Sequence, residues 1–130
     1  MSVMDDRLPP QSIEAEQAVL GALLLDSDAI YLIMDTLKPD DFYRDAHRTI
    51  YQAILDLTSK SQTVDMLTVS EVLRQGDWLE SVGGATYLAS LSTMVPNSAN
   101  IAAHAGLIVE KSVVRSLISA ASQIVHKSYQ

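Results

Sequence analysis

Three carboxylates and an imidazole fall within eight residues, at Asp40, Asp41, Asp45 and His47. Only in this stretch do residue types and spacing suggest a hard or borderline cation site, or metal-dependent hydrolysis built on Asp41, Asp45 and His47. The same residues also have a structural use. Asp40 and Asp41 follow Pro39 into a first turn, Asp45 can cap a helix whose dipole favours acid, and His47 flanks an apolar stripe. The structural use is the better fit, so no metal site is expected. Other chemistry is excluded by residue type. No Gly-Lys dipeptide occurs, so the phosphate cradle of a nucleotide triphosphatase is missing. The patterns His-Glu-x-x-His, Gly-x-Ser-x-Gly and Gly-x-Gly-x-x-Gly are also absent. Without cysteine there is neither disulfide nor thiolate chemistry. No catalytic residue and no cofactor site is therefore expected. His104 and His126 have no acidic neighbours and read as surface residues. Trp78, in Asp77-Trp78-Leu79-Glu80, fits half-buried packing better than a contact anchor. Tyr87, just after Gly83-Gly84, fits core packing and exposed contact equally well.

The elements that hold these residues follow from composition and periodicity. The chain has 130 residues, 48% hydrophobic and 19% charged, which suits one domain with a substantial core and excludes general disorder. A net charge of −7 argues against a phosphate-binding surface, so little direct nucleic-acid binding is expected. No apolar run approaches a membrane span, and the start carries acid where a secretory signal would carry base. The expected setting is cytoplasmic. Glycine and proline are few, hairpin turn pairs are missing, and strand-like alternation is absent, so the chain reads as all-α.

Residues 1–11 read as an extended arm through Pro9-Pro10, and residues 12–96 as a helical head of about five helices. The first runs from Ser12, a plausible cap, to about Leu25, with Glu14 and Glu16 in its first turn. Its apolar residues nearly encircle it, which makes it central, and Gly21 reads as a close-packing point. Asp26, Ser27 and Asp28 can cap a second helix through Leu37. Pro39 starts a short turn into Phe42 and Tyr43. Asp45 can cap a third helix to about Thr58, whose stripe is Ala46, Ile50, Ala53, Ile54 and Leu57. Thr68-Val69-Ser70-Glu71 reads as a capping box opening a fourth helix that Gly76 ends. Gly83-Gly84 precede a fifth, through Leu91.

Residues 97–130 form the last segment, helical from about Ala99 to Ser128, with Asn97 or Ser98 as cap. Thirty helical residues span roughly 45 Å, longer than the 25–30 Å body expected of the preceding chain, so the helix should project. Its faces switch along its length. Ile101, Ala105 and Ile108 share one side, but in the second half that side is polar, with Arg115, Ser119 and Ser122. There the apolar residues are Val113, Val114, Leu117, Ile118, Ala120, Ala121, Ile124 and Val125. Six are large, at roughly 1.5–3 kcal/mol each when buried, too much to leave in water. The first half should dock on the body and the second half should find partners, through Val113, Val114, Leu117, Ala121, Ile124 and Val125. Charge is uneven too: through residue 80 there are fifteen acids and six bases, and beyond it Glu110 stands against Lys111, Arg115 and Lys127.

The run Arg7-Leu8-Pro9-Pro10-Gln11-Ser12-Ile13-Glu14-Ala15-Glu16-Gln17-Ala18-Val19-Leu20-Gly21 resembles the opening of a bacterial DnaB-type replicative helicase. Asp41-Phe42-Tyr43 with His47 and Ile50-Tyr51, Val64-Asp65, Gly83-Gly84 with Tyr87-Leu88, and Ile108-Val109-Glu110-Lys111 with Arg115 and Leu117-Ile118 follow in that family's order and spacing. The resemblance implies an N-terminal domain, a helical head followed by a helical hairpin, standing before a linker and a RecA-like ATP-dependent motor. Residues 97–130 would be the first hairpin arm, closing near Tyr129. The second arm, the linker and the motor, with its ATP and Mg, would lie outside this stretch.

The resemblance further implies a non-catalytic assembly and primase-docking role in replication. The partners would be other copies (dimers within a hexamer), a primase C-terminal domain, and a helicase loader. It places the primase contacts at Tyr87, Ile118 and Ile124, the last two at opposite edges of the apolar face. Two alternatives are the helicase-binding helical domain of a primase and, further off, the small Asp/His metal-dependent hydrolase.

Overall fold

The computed structural model describes residues 8–130. Five α-helices and two 3-10 turns make up the architecture, and no strand occurs among the described residues. The helices are α1 (Ile13–Leu25), α2 (Asp45–Ser59), α3 (Met66–Gln75), α4 (Gly84–Leu91) and α5 (Ile101–Ser128). None is long and apolar enough to cross a membrane. Of the arm expected over residues 1–11, residues 1–7 lie outside the described residues; Leu8 and Pro9 are exposed.

Apolar on nearly every side, α1 can only be central. Val19, Leu20 and Leu23 have no exposed surface, and α1 packs against α2, α4 and α5 at once. Its start is as expected, with Ser12 Oγ accepting the Ala15 N–H at 3.2 Å. Gly21 is the close approach: a Cβ there would lie 2.1 Å from the carbonyl oxygen of Leu91 at the end of α4.

Four local expectations are corrected. The segment after Asp26 is a 3-10 turn over Ser27–Leu32 followed by further turns, not an α-helix through Leu37. Its buried Ile30 and Ile33 stand three apart, the 3-10 repeat, and Tyr31 and Leu32 face water. Asp45 does not cap α2; Arg44 is the N-cap, and the Asp45 carboxylate instead pairs with Arg48 one turn on. The box opening α3 sits three residues earlier than the Thr68–Glu71 spacing suggests. Asp65 Oδ1 accepts the Thr68 N–H at 2.8 Å, and Thr68 Oγ1 accepts the Asp65 N–H at 2.9 Å. Finally, α5 starts at Ile101 with Asn100 as N-cap and no side-chain cap. Asn97 accepts from the Ala99 N–H, and Ser98 donates to Asp26.

Beneath α1 lies Tyr51, fully buried, its hydroxyl donating to the Leu37 carbonyl at 2.8 Å. Burial pushes its phenol well above the ordinary range, and the charge of Asp41 pushes the same way. The folded chain therefore keeps this proton where the unfolded chain, with a tyrosine pKa of about 10, has lost it. Bound protons are then fewer in the unfolded state, so stability falls as pH rises above about 10. Tyr51→Phe should flatten this alkaline decline while lowering stability near pH 7 by about 1–3 kcal/mol, since the Leu37 carbonyl loses its donor. Denaturation midpoints of both chains between pH 7 and 11 check this; parallel curves would contradict it.

Candidate functional site

Three features could do something beyond folding: a buried polar chain inside the head, the junction of head and long helix, and the far half of α5. The polar chain starts at Glu16, 1% exposed and pointing inward from α1. Glu16 Oε2 accepts the Tyr43 N–H at 2.7 Å, and Oε1 lies 3.4 Å from the Arg44 nitrogen. The carboxylate thus takes up N–H groups just ahead of α2 that would otherwise lie buried without an acceptor. His47, with no exposed surface, sets Nδ1 2.8 Å from Glu16 Oε1 and Nε2 2.7 Å from the Tyr87 hydroxyl. Gln17 donates to that hydroxyl at 3.2 Å, and the His47 and Tyr87 rings stack with centroids 6.0 Å apart. No buried side-chain polar atom among the described residues lacks a partner.

This arrangement places two side chains that the sequence singles out, His47 and Tyr87. His47 serves Glu16 and Tyr87 and is not drawn toward Asp40, Asp41 or Asp45. Asp41 bonds the Lys38 N–H and Ser112, and Asp45 is exposed beside Arg48. Among the described residues no three His, Asp or Glu side chains converge to hold a metal. Tyr87 is partly buried, its ring on the head and its hydroxyl turned to His47. The glycine pair explains its placement. Gly83 is the left-handed N-cap of α4 (φ 114°), and a Cβ there would meet the Tyr87 Cβ at 2.7 Å. Sequence reasoning missed Glu16, because an acid in a first turn is satisfied by the dipole alone. The signal was its position among Ala15, Ala18 and Val19, the buried side of the helix.

At the junction, Arg115 of α5 donates to the Pro10 carbonyl at 2.8 Å and to the Asp41 carbonyl at 2.7 Å. Its guanidinium lies 5.4 Å from the centre of the Tyr43 ring, a cation–π distance. Ser112 donates to Asp41 Oδ1 at 2.8 Å. Phe42, between Asp41 and Tyr43, is buried against Tyr51 and His47. The Asp41-Phe42-Tyr43 run is therefore the bracket that fixes the long helix to the head.

Beyond this bracket α5 stands clear. Its first half buries Ile101, Ala105 and Ile108. From Val113 on its apolar residues are exposed: Val113, Val114, Ile118 and Val125, with Leu117 at 64% and Ile124 at 67%. Ala121 is exposed as well. Ile118 and Ile124 thus lie on the projecting half and Tyr87 on the head. Trp78 is 54% exposed, its ring lying over Gly76, and walls a shallow groove with Pro39, Arg48, Ala53 and Leu73. His126 is exposed and His104 partly so.

Comparison with known proteins gives concordant matches. The model of the DnaB-like helicase N-terminal domain matches residues 8–110. Over 127 residues the chain is 47% identical to the replicative DNA helicase DnaC of Bacillus subtilis, covering 98% of this chain and 28% of that protein. The crystal structure of the N-terminal domain of DnaB helicase from Mycobacterium tuberculosis superposes with a TM-score of 0.92 at 42% identity, covering 94% of this chain and 85% of that one. A DnaB-like replicative helicase, described with its interactions with primase, superposes with a TM-score of 0.78 at 33% identity, over 89% of this chain and 27% of that one. These matches are to helicases, and they set aside the alternative of a primase's own helicase-binding domain.

Proposed function

Because the chain belongs to the family of DnaB-like helicase N-terminal domains, we propose that it is a non-catalytic assembly and primase-docking module of a replicative helicase. The observation that carries this is the unburied apolar half of α5 on an otherwise well-packed head. Six large side chains there supply on the order of 10 kcal/mol gross on burial, against an association cost of about 4–15 kcal/mol. That balance permits a dimer of modest affinity, with higher assemblies in a longer helicase. The proposed self-association face is Val113, Val114, Leu117, Ala121, Ile124 and Val125. A helicase loader is a further proposed partner. ATP and Mg belong, on this reading, to a motor outside these residues.

The proposed primase contacts are Tyr87, Ile118 and Ile124. Support comes from the exposure of Ile118 and Ile124, with Tyr87 partly buried on the head, and from the likeness to a helicase whose interactions with primase are described. Tyrosine suits such a contact, with a large apolar body and a polar tip. Two experiments test the reading. Leu117→Asp should give a monomer by light scattering with the head still folded; an unchanged mass would count against the self-association face. Ile118→Ala should weaken binding of a primase C-terminal domain by about 1 kcal/mol or more, with mass and thermal midpoint nearly unchanged; Tyr87→Ala should weaken it similarly with the mass unchanged, but with a lowered midpoint, since the buried His47 loses its hydroxyl partner. Binding lost only together with the dimer or the fold would show these residues to be scaffold.

A further inference from the structure

The exposed Trp78 ring is set in place by the backbone around it. Just past the end of α3 at Gly76, Asp77 takes a left-handed φ of 60°, a conformation that few residues other than glycine adopt. Its N–H donates to the Arg74 carbonyl at 3.1 Å, and the Trp78 N–H donates to the Leu73 carbonyl at 2.8 Å. This paired ending turns the chain back along the helix. The indole then lies over Gly76, where a Cβ would stand 2.6 Å from the indole Cδ1. An apolar contact with Leu73 accompanies such an ending, and a leucine would supply it. A tryptophan that stays 54% exposed exceeds that need.

The groove that Trp78 walls has α2 as its other side. Thr49, Gln52, Ala53 and Asp56 line it from one helix face, over about 10 Å, the length of three extended residues. The groove encloses about 490 Å³, the scale of a small-ligand site. Its acids are Asp56 and, from the 3-10 turn Pro39–Asp41, Asp40; both are exposed. Among the described residues its one base is Arg48, which donates to the Phe42 carbonyl and to Asp45. We propose that this groove docks a short extended segment of a partner protein carrying an arginine. The guanidinium lies on the Trp78 ring and pairs with Asp40 or Asp56, while an aliphatic neighbour covers Val72. Charge complementarity selects this occupant. Two carboxylates beside an exposed π face attract a planar cation and repel phosphate, which sets nucleic acid aside. The proposal is independent of Tyr87 and of the α5 face, whose residues do not line the groove.

Trp78 is the only tryptophan of the chain, so its fluorescence reports on the groove alone. The probe is the peptide acetyl-Leu-Arg-Leu amide, with acetyl-Leu-Glu-Leu amide as control. The arginine peptide should change the emission saturably, with a dissociation constant on the order of 1 mM for one anchored side chain. The glutamate peptide should not. By calorimetry, Trp78→Leu, which keeps an apolar contact for Leu73, should weaken binding roughly three- to tenfold. Asp40→Asn combined with Asp56→Asn should weaken it roughly fivefold. Gly76→Ala should weaken it as well, since the added Cβ displaces the ring while every other groove residue stays. No saturable change, an equal response to the glutamate peptide, or wild-type affinity in any of these variants would overturn the proposal. The two-peptide comparison on the wild-type chain needs no variant. A peptide that lowers the molar mass of a self-associated chain would show a second copy to be the occupant, and would overturn it too.

Discussion

Glu16→Ala should destabilise the domain by roughly 2–6 kcal/mol, the cost of leaving two buried donors without their acceptor. The size follows from what is left behind. The Tyr43 N–H and the His47 Nδ1–H would both lose their acceptor in a site without water access, and a small void would open between α1 and α2. Each unpaired buried donor costs about 1–3 kcal/mol. Against a total stability of about 5–15 kcal/mol this is a large fraction, worth ~10 °C or more in midpoint. The exposed pairs offer the contrast. Asp45→Ala removes a carboxylate that is 94% exposed and bonded only to Arg48, and should leave the midpoint close to that of the wild type. Chemical denaturation of both variants decides the matter; equal, small effects would mean the Glu16 network contributes little to holding the head.

Gly21→Ala should be comparably severe, for a steric reason. The added carbon would lie 2.1 Å from the Leu91 carbonyl oxygen and 3.1 Å from its carbon, both backbone atoms with no rotamer to change. Relief requires α1 and α4 to move apart, which disturbs Leu20, Leu88 and Leu91 together. A cost near the upper end of overpacking, about 3 kcal/mol or more, is expected. Gly106→Ala is the control. Gly106 is an exposed residue within α5 with no atom within 4 Å of its missing Cβ, so alanine there should stabilise by about 0.5–1 kcal/mol. Denaturant midpoints moving in opposite directions for the two variants would support this account of the packing, and a harmless Gly21→Ala would refute it.

The large features of the molecule were legible because they are set by patterns many residues long. The encircling apolar residues of α1, the change of face along α5 and the glycines bounding α3 and α4 each leave a periodic or positional trace. The corrected points are all local, and three of the four concern polar helix caps. Asp45 and Asp65 are equally good caps by type, and only the folded chain shows that α2 starts one residue earlier, with Arg44 at the N-cap and Asp45 inside the first turn. Glu16, His47 and Tyr87 are separated by 31 and 40 residues along the chain. Their meeting depends on how three helices pack, which no local spacing encodes. The Ile30–Ile33 spacing was present in the sequence, but over one turn it does not distinguish a 3-10 from an α-helix. The resemblance implied a contact at Tyr87 without showing why a glycine pair precedes it; the left-handed turn and the missing Cβ at Gly83 supply that reason.

On the proposed reading a well-packed head presents the far half of α5, with Tyr87, for assembly and for a primase domain. The most direct test is the molar mass by light scattering of the wild-type chain, alone over a range of concentrations and mixed with a primase C-terminal domain. The account predicts a monomer–dimer equilibrium for the chain alone and a further species heavier by whole primase domains in the mixture. A monomer at every concentration, with no heavier species in the mixture, would contradict it.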